Sequence, residues 1–119
     1  MECRIAESEY RFLDILWERE PINSTELVRV CEARLGWKKS TTYTVIKNLI
    51  EKHAVRNEQA VVTALVTREQ VTRQESDSLL ERTYGGDVPG FIAAFLSDRR
   101  LTREEADRLR QLIEEATGE

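Results

Sequence analysis

Lys38-Lys39-Ser40-Thr41-Thr42-Tyr43-Thr44-Val45-Ile46-Lys47-Asn48-Leu49-Ile50-Glu51-Lys52 is the stretch on which the reading of this chain turns. Thr42, Val45, Ile46, Leu49 and Ile50 recur at helical spacing, which predicts a helix from Ser40 to about Lys52 with that side buried. The other side, Ser40, Tyr43, Thr44, Lys47 and Glu51, is polar and rich in hydrogen-bond donors. Lys38 and Lys39 stand at the helix N-terminus, where free backbone N–H groups and the positive dipole end suit phosphate oxygens. Such a helix has the chemistry of one that lies in a DNA major groove.

Upstream, Asn23 precedes Glu26 by three, the spacing of a capping box, and opens a short helix presenting Leu27, Val30 and Cys31 until Gly36 stops it. Before it, a helix from about Glu7 to Arg19 carries Tyr10, Leu13, Leu16 and Trp17 on one face, widened by Phe12, and ends ahead of Pro21. Downstream the period shortens. Ala54 to Asn57 and Ala60 to Val66 are rich in β-branched and small apolar residues around the turn Asn57-Glu58-Gln59, the pattern of a β-hairpin. Three helices and a hairpin predict a mainly α chain whose residues 1–66 form a winged helix-turn-helix domain.

Residues 67–119 read as helices. Thr67 with Gln70 opens one that runs to about Thr83, and Gly85-Gly86 breaks it. Asp87-Val88-Pro89-Gly90 starts a brief helix, and Thr102 with Glu105 a last one. Their apolar faces, Val71, Leu79, Leu80, Phe91, Ile92, Phe95, Leu96, Leu109, Leu112 and Ile113, exceed what so small a region buries alone. A second copy of the chain is the expected cover, making this a helical dimerisation region.

The formal net charge of −4 averages over unlike regions. Residues 1–66 hold ten basic and ten acidic side chains, and 67–119 eight and twelve. Arg34, Lys38, Lys39, Lys47, Lys52 and Arg56 meet only Glu51 between positions 34 and 56, so this basic segment is the candidate phosphate-binding surface. Ser40 and Thr41 are placed for phosphates, with Lys38, Lys39 and Lys47 adding charge. Tyr43, Thr44 and Lys47 are placed for base edges. Arg56 is the candidate wing contact, weakened by a short, slightly acidic tip. Trp17 and Trp37 read as packing residues rather than stacking platforms.

With 119 residues there is no room for a multidomain enzyme. His53, the single histidine, reads as a helix-end residue, and Gly85-Gly86 lacks the context of a phosphate cradle. Cys3 and Cys31 have no metal-ligand spacing and read as reduced thiols, so no catalytic residue, cofactor or metal is expected. No apolar run reaches membrane length, and Met1-Glu2-Cys3-Arg4-Ile5-Ala6-Glu7 lacks the features of a signal peptide. A cytoplasmic location without membrane insertion is expected.

The chain resembles the penicillinase-repressor (BlaI/MecI/CopY) family. The matching stretches are Ile5 to Tyr10 leading to Leu16-Trp17, Pro21 to Leu27, Gly36-Trp37, Thr41 to Leu49, Leu65 to Glu69, Tyr84-Gly85-Gly86 and Leu101 to Glu105. The resemblance implies a dimeric winged-helix repressor on an inverted-repeat operator, in relatives often of β-lactam-resistance or copper-transport genes. It further implies induction by a membrane sensor that acts through proteolysis, with the corresponding bond at Ala94-Phe95. The chain departs from the family pattern at Ala94, where Asn is typical, at Asn48, where Arg is common, and at His53, where Gly is common. It has no cysteine after Cys31, unlike the copper-responsive branch. The rival reading is a winged helix whose outward helix docks on a protein, and a ligand-sensing or catalytic role ranks behind both.

Overall fold

The computed structural model describes residues 4–118, so Cys3 and the start of the leader reading, Met1-Glu2-Cys3, lie outside the described residues. Its elements are α1 (Glu7–Arg19), β1 (Ile22–Asn23), α2 (Ser24–Leu35), α3 (Lys39–Glu51), β2 (Val55–Glu58), β3 (Val61–Ala64), α4 (Arg68–Tyr84), α5 (Val88–Leu96) and α6 (Arg103–Thr117). The strands form an antiparallel sheet in the order β1-β3-β2, with Ile22 opposite Val62 and Val55 opposite Ala64. Three helices with this small sheet and its β2–β3 hairpin are a winged helix.

Phe12, Leu13, Ile15 and Leu16 of α1 are buried against Leu27 and Cys31 of α2, Val45, Ile46 and Leu49 of α3, and Val55 and Val62 of the hairpin. Each such side chain contributes roughly 1.5–3 kcal/mol on burial, so this cluster, rather than the charged exterior, holds the winged helix together. Ile50, expected on the buried side of α3, is 40% exposed. The 3.6-residue period carries it past the edge of the apolar stripe.

β1 was not expected. Its two residues pair with Val61 and Val62, about forty positions away, and carry no local period. The hairpin turns at Gln59-Ala60, one residue later than the sequence placed it. Both residues have positive φ, 53° and 64°, as a two-residue turn requires. Asn23 caps α2 by accepting from Thr25 N at 2.8 Å.

The chain divides into two compact units, Met1–Ser78 and Leu79–Glu119. The first takes in the start of α4, capped reciprocally by Thr67 and Gln70 and anchored by Val71 in the core. In the second, Asp87 accepts from Gly90 N at 3.1 Å to cap α5, while Thr102 and Glu105 box the start of α6. Tyr84 meets Phe91 edge to face, ring centroids 5.3 Å apart, yet neither α5 nor α6 has a fully buried residue. No helix among the described residues is long and apolar enough to cross a membrane.

Candidate nucleic-acid interface

The turn between α2 and α3 is set by Gly36, whose φ of 71° lies in the left-handed region that an L side chain enters only with strain. Its N–H donates to Glu32 O at 3.0 Å and closes α2. Trp37 follows, its ring parallel to Phe12 with centroids 6.4 Å apart, and pins the turn to the core. Trp17 Nε1 donates to Val66 O at 2.9 Å. Both indoles are therefore packing groups.

α3 starts at Lys39 with Lys38 as its N-cap, one residue ahead of the expected Ser40, and no side chain caps it. The first intrahelical bond is Thr42 N to Lys38 O at 3.1 Å, which leaves the amides of Lys39, Ser40 and Thr41 without an acceptor in the helix. An anion placed there meets oriented donors and the positive end of the dipole. Thr42, Val45, Ile46 and Leu49 bury the inner face, so Lys38, Lys39, Ser40, Thr41, Tyr43, Thr44 and Lys47 are all exposed. Tyr43 OH reaches Ser24 Oγ only at 3.5 Å, a contact that leaves the phenol free to take another partner. Asn48 is also exposed, one turn beyond Thr44. The sequence reading left it out, although its i, i+4 spacing from Thr44 already placed it on that row.

The basic segment does not act as one block. Arg34 Nη1 lies 3.0 Å from Glu18 Oε1, and this hydrogen bond holds the Glu18 carboxyl below the usual carboxylate range. Lys52 Nζ lies 2.6 Å from Glu9 Oε1, whose residue is only 4% exposed, and donates to Arg4 O as well. Arg56, exposed on β2, has Glu58 Oε1 3.7 Å from its Nε, which weakens its field at the wing. Lys38, Lys39 and Lys47 remain, with no ion-pair partner among the described residues. The positive charge is thus narrower than the sequence count and sits on α3 and its cap.

Among the expected dimer residues, Val71 is corrected: at 3% exposure it belongs to the core of the first unit, because α4 begins by packing on the winged helix. Leu79, Ile92, Phe95, Leu112 and Ile113 are exposed by 39–62%, and Leu80, Phe91, Leu96 and Leu109 are half-buried. Ala94 and Phe95, flanking the candidate cleavage bond, are exposed within helical α5.

A family model described as penicillinase repressor matches residues 5–115. The chain is 26% identical over 116 residues to the penicillinase repressor of Bacillus licheniformis, covering 94% of this chain and 91% of that one. It is 18% identical to the penicillinase repressor of Staphylococcus aureus over 94% and 92% of the two chains. The solution structure of the DNA-binding domain of the repressor BlaI superposes with a TM-score of 0.52 at 22% identity, covering 57% of this chain and 90% of that one. That likeness agrees with the winged helix seen here, and the match across nearly the whole sequence places the chain in the penicillinase repressor family.

Proposed function

We propose that this chain is a DNA-binding transcriptional repressor, acting in the cytoplasm as a homodimer that lays two copies of α3 in successive major grooves of an inverted-repeat operator. The observation that carries the reading is the uncapped α3 N-terminus together with exposed Lys38, Lys39 and Lys47, which have no ion-pair partner among the described residues. Lys38, Lys39, Ser40 and Thr41 hold phosphates, Tyr43, Thr44 and Lys47 read base edges, and Arg56 adds a weak wing contact. Residues 67–119 supply dimerisation, supported by the apolar side chains that the second unit leaves exposed. Membership of the penicillinase repressor family supports regulated genes of the β-lactam-resistance type. Release would come from a sensor and protease cutting at Ala94-Phe95, a helical bond that needs local unfolding of α5 before cleavage.

The test is a mobility shift on DNA upstream of the protein's own gene, against random duplex as competitor, across a salt series. Specific retention is expected, with half-site centres about 10 bp or a multiple apart. The log–log salt slope should be about −0.9 per phosphate contact. Equal, salt-independent affinity for both duplexes would overturn the reading and favour a protein as the partner of α3.

A further inference from the structure

α3 carries one acid, Glu51, and the helix itself gains nothing from it. As the last residue of α3 it adds negative charge to the negative end of the dipole. Lys47 stands one turn back, yet Glu51 has no ion-pair partner among the described residues. It is exposed rather than packed. A residue that breaks a local rule without a compensating contact points to function rather than folding.

Helical geometry says which way it faces. The buried residues Thr42, Val45, Ile46 and Leu49 define the inner line of α3. At roughly 100° per residue, Ser40, Thr44, Lys47 and Glu51 all fall within about 30° of the opposite line, whereas Thr41, Tyr43 and Asn48 stand about 70–90° to its sides. Glu51 therefore continues the row of Thr44 and Lys47 toward the helix C-terminus. An ionised carboxylate only accepts hydrogen bonds. Against a duplex it is repelled by every phosphate. In the major groove it meets acceptors on guanine and thymine and an acceptor beside the donor of adenine, while the cytosine edge offers the N4 donor alone. We propose, resting on the operator reading above, that Glu51 is a specificity-determining residue that selects a cytosine in each half-site and disfavours duplexes lacking it.

The experiment selects operators from a random-sequence duplex pool with the wild-type chain, Glu51→Gln and Glu51→Ala at one salt concentration. Fluorescence anisotropy then compares the four base pairs at the position whose preference changes. Wild type should enrich a cytosine at one position of each half-site and bind the other three pairs there about tenfold or more weakly. Both variants should narrow that difference to about threefold or less, and the glutamine should favour adenine there, whose N6 and N7 its amide fits. Each should also bind random duplex about threefold or more tightly, since a charge of the wrong sign has left the interface. Neither should melt below wild type, and a lower melting temperature would give the carboxylate a role in the fold and remove the premise. Either variant keeping the wild-type base preferences overturns the assignment, even with a uniform gain in affinity, and so does a wild-type site without the cytosine. A wild-type pool that yields no enriched sequence overturns the operator reading itself, an outcome distinct from an enriched site whose preferences the variants leave intact.

Discussion

Lys52 Nζ sits 2.6 Å from Glu9 Oε1, tying the end of α3 to the first turn of α1, where the same carboxylate accepts from Ala6 N at 2.8 Å. The pair makes Lys52 a structural lysine in a segment whose other lysines face outward. Removing the cation leaves a carboxylate almost wholly buried, so Lys52→Met should cost about 3 kcal/mol in urea denaturation. Glu9→Gln retains an acceptor for Ala6 N and should cost about half as much. The salt slope of DNA binding by folded Lys52→Met should match wild type, and a slope reduced by about one unit would return Lys52 to the phosphate contacts.

Lys39, Tyr43 and Lys47 should separate by role. Lys39→Ala removes charge at the α3 N-terminus and should weaken binding to all duplexes alike, lowering the salt slope by about 0.9. Tyr43→Ala and Lys47→Ala should cost about 1–3 kcal/mol on the preferred operator and relax preference among base substitutions. Titration on specific and random duplexes checks both. Equal losses on the two would remove the base-reading roles.

Among the described residues, three that are not glycine hold positive φ: His53 at 61°, Gln59 at 53° and Ala60 at 64°. His53 ends α3 and the other two form the hairpin turn. Glycine relieves the Cβ strain but frees the unfolded chain, so His53→Gly and Ala60→Gly should each raise stability by about 0.5–1 kcal/mol. Gly36→Ala supplies the reverse test. Nothing lies within 4 Å of a Cβ added at Gly36, so its cost of about 1 kcal/mol is backbone strain alone. Thermal melts of the three variants should show opposite signs.

Cys31 is fully buried, and burial pushes its thiol pKa up while the Thr42 hydroxyl pulls weakly the other way. That contact falls short of hydrogen-bond geometry at Thr42 Oγ1, which is buried without a partner. Thr42→Val should therefore gain about 1 kcal/mol. The thiol acts as an acid whose proton the folded state retains. Its contribution is complete below the unfolded thiol value of about 8.5 and is lost as pH rises above it. Stability measured from pH 8 to 10 should fall more steeply in wild type than in Cys31→Ala, and parallel curves would discount the thiol.

Much of this molecule is visible in local pattern because local chemistry decides it. The amphipathic stripes of α1 and α3, the boxes at Thr67-Gln70 and Thr102-Glu105, and the stop at Gly36 each depend on residues within one or two helical turns. What escapes the sequence is long-range pairing. β1 exists because Ile22 meets Val62, Arg34 is neutralised by Glu18, and Lys52 by Glu9. Val71 turns inward because the winged helix offers it a core. A count of charges along the chain therefore overstates the binding surface, while the outward face of α3, fixed by helical period alone, is read correctly as exposed.

Phe95 is 52% exposed and stacks on Phe91, with ring centroids 6.3 Å apart, while the Arg99 guanidinium rests 4.1 Å from its ring centre. A charge at this position costs the isolated chain little, because water already reaches it. The same charge costs several kcal/mol if a second copy covers the ring, since a carboxylate would then be taken out of water, a cost that pairing with Arg99 repays only in part. Phe95→Asp should therefore keep the wild-type circular dichroism and a melting temperature measured at low concentration. In sedimentation equilibrium it should shift the population from dimer to monomer, and operator affinity should fall with it because two half-sites are no longer held by one particle. A variant that remains dimeric at wild-type strength would place the dimer contact away from α5, on the Leu112 and Ile113 face of α6, where Ile113→Asp makes the same measurement.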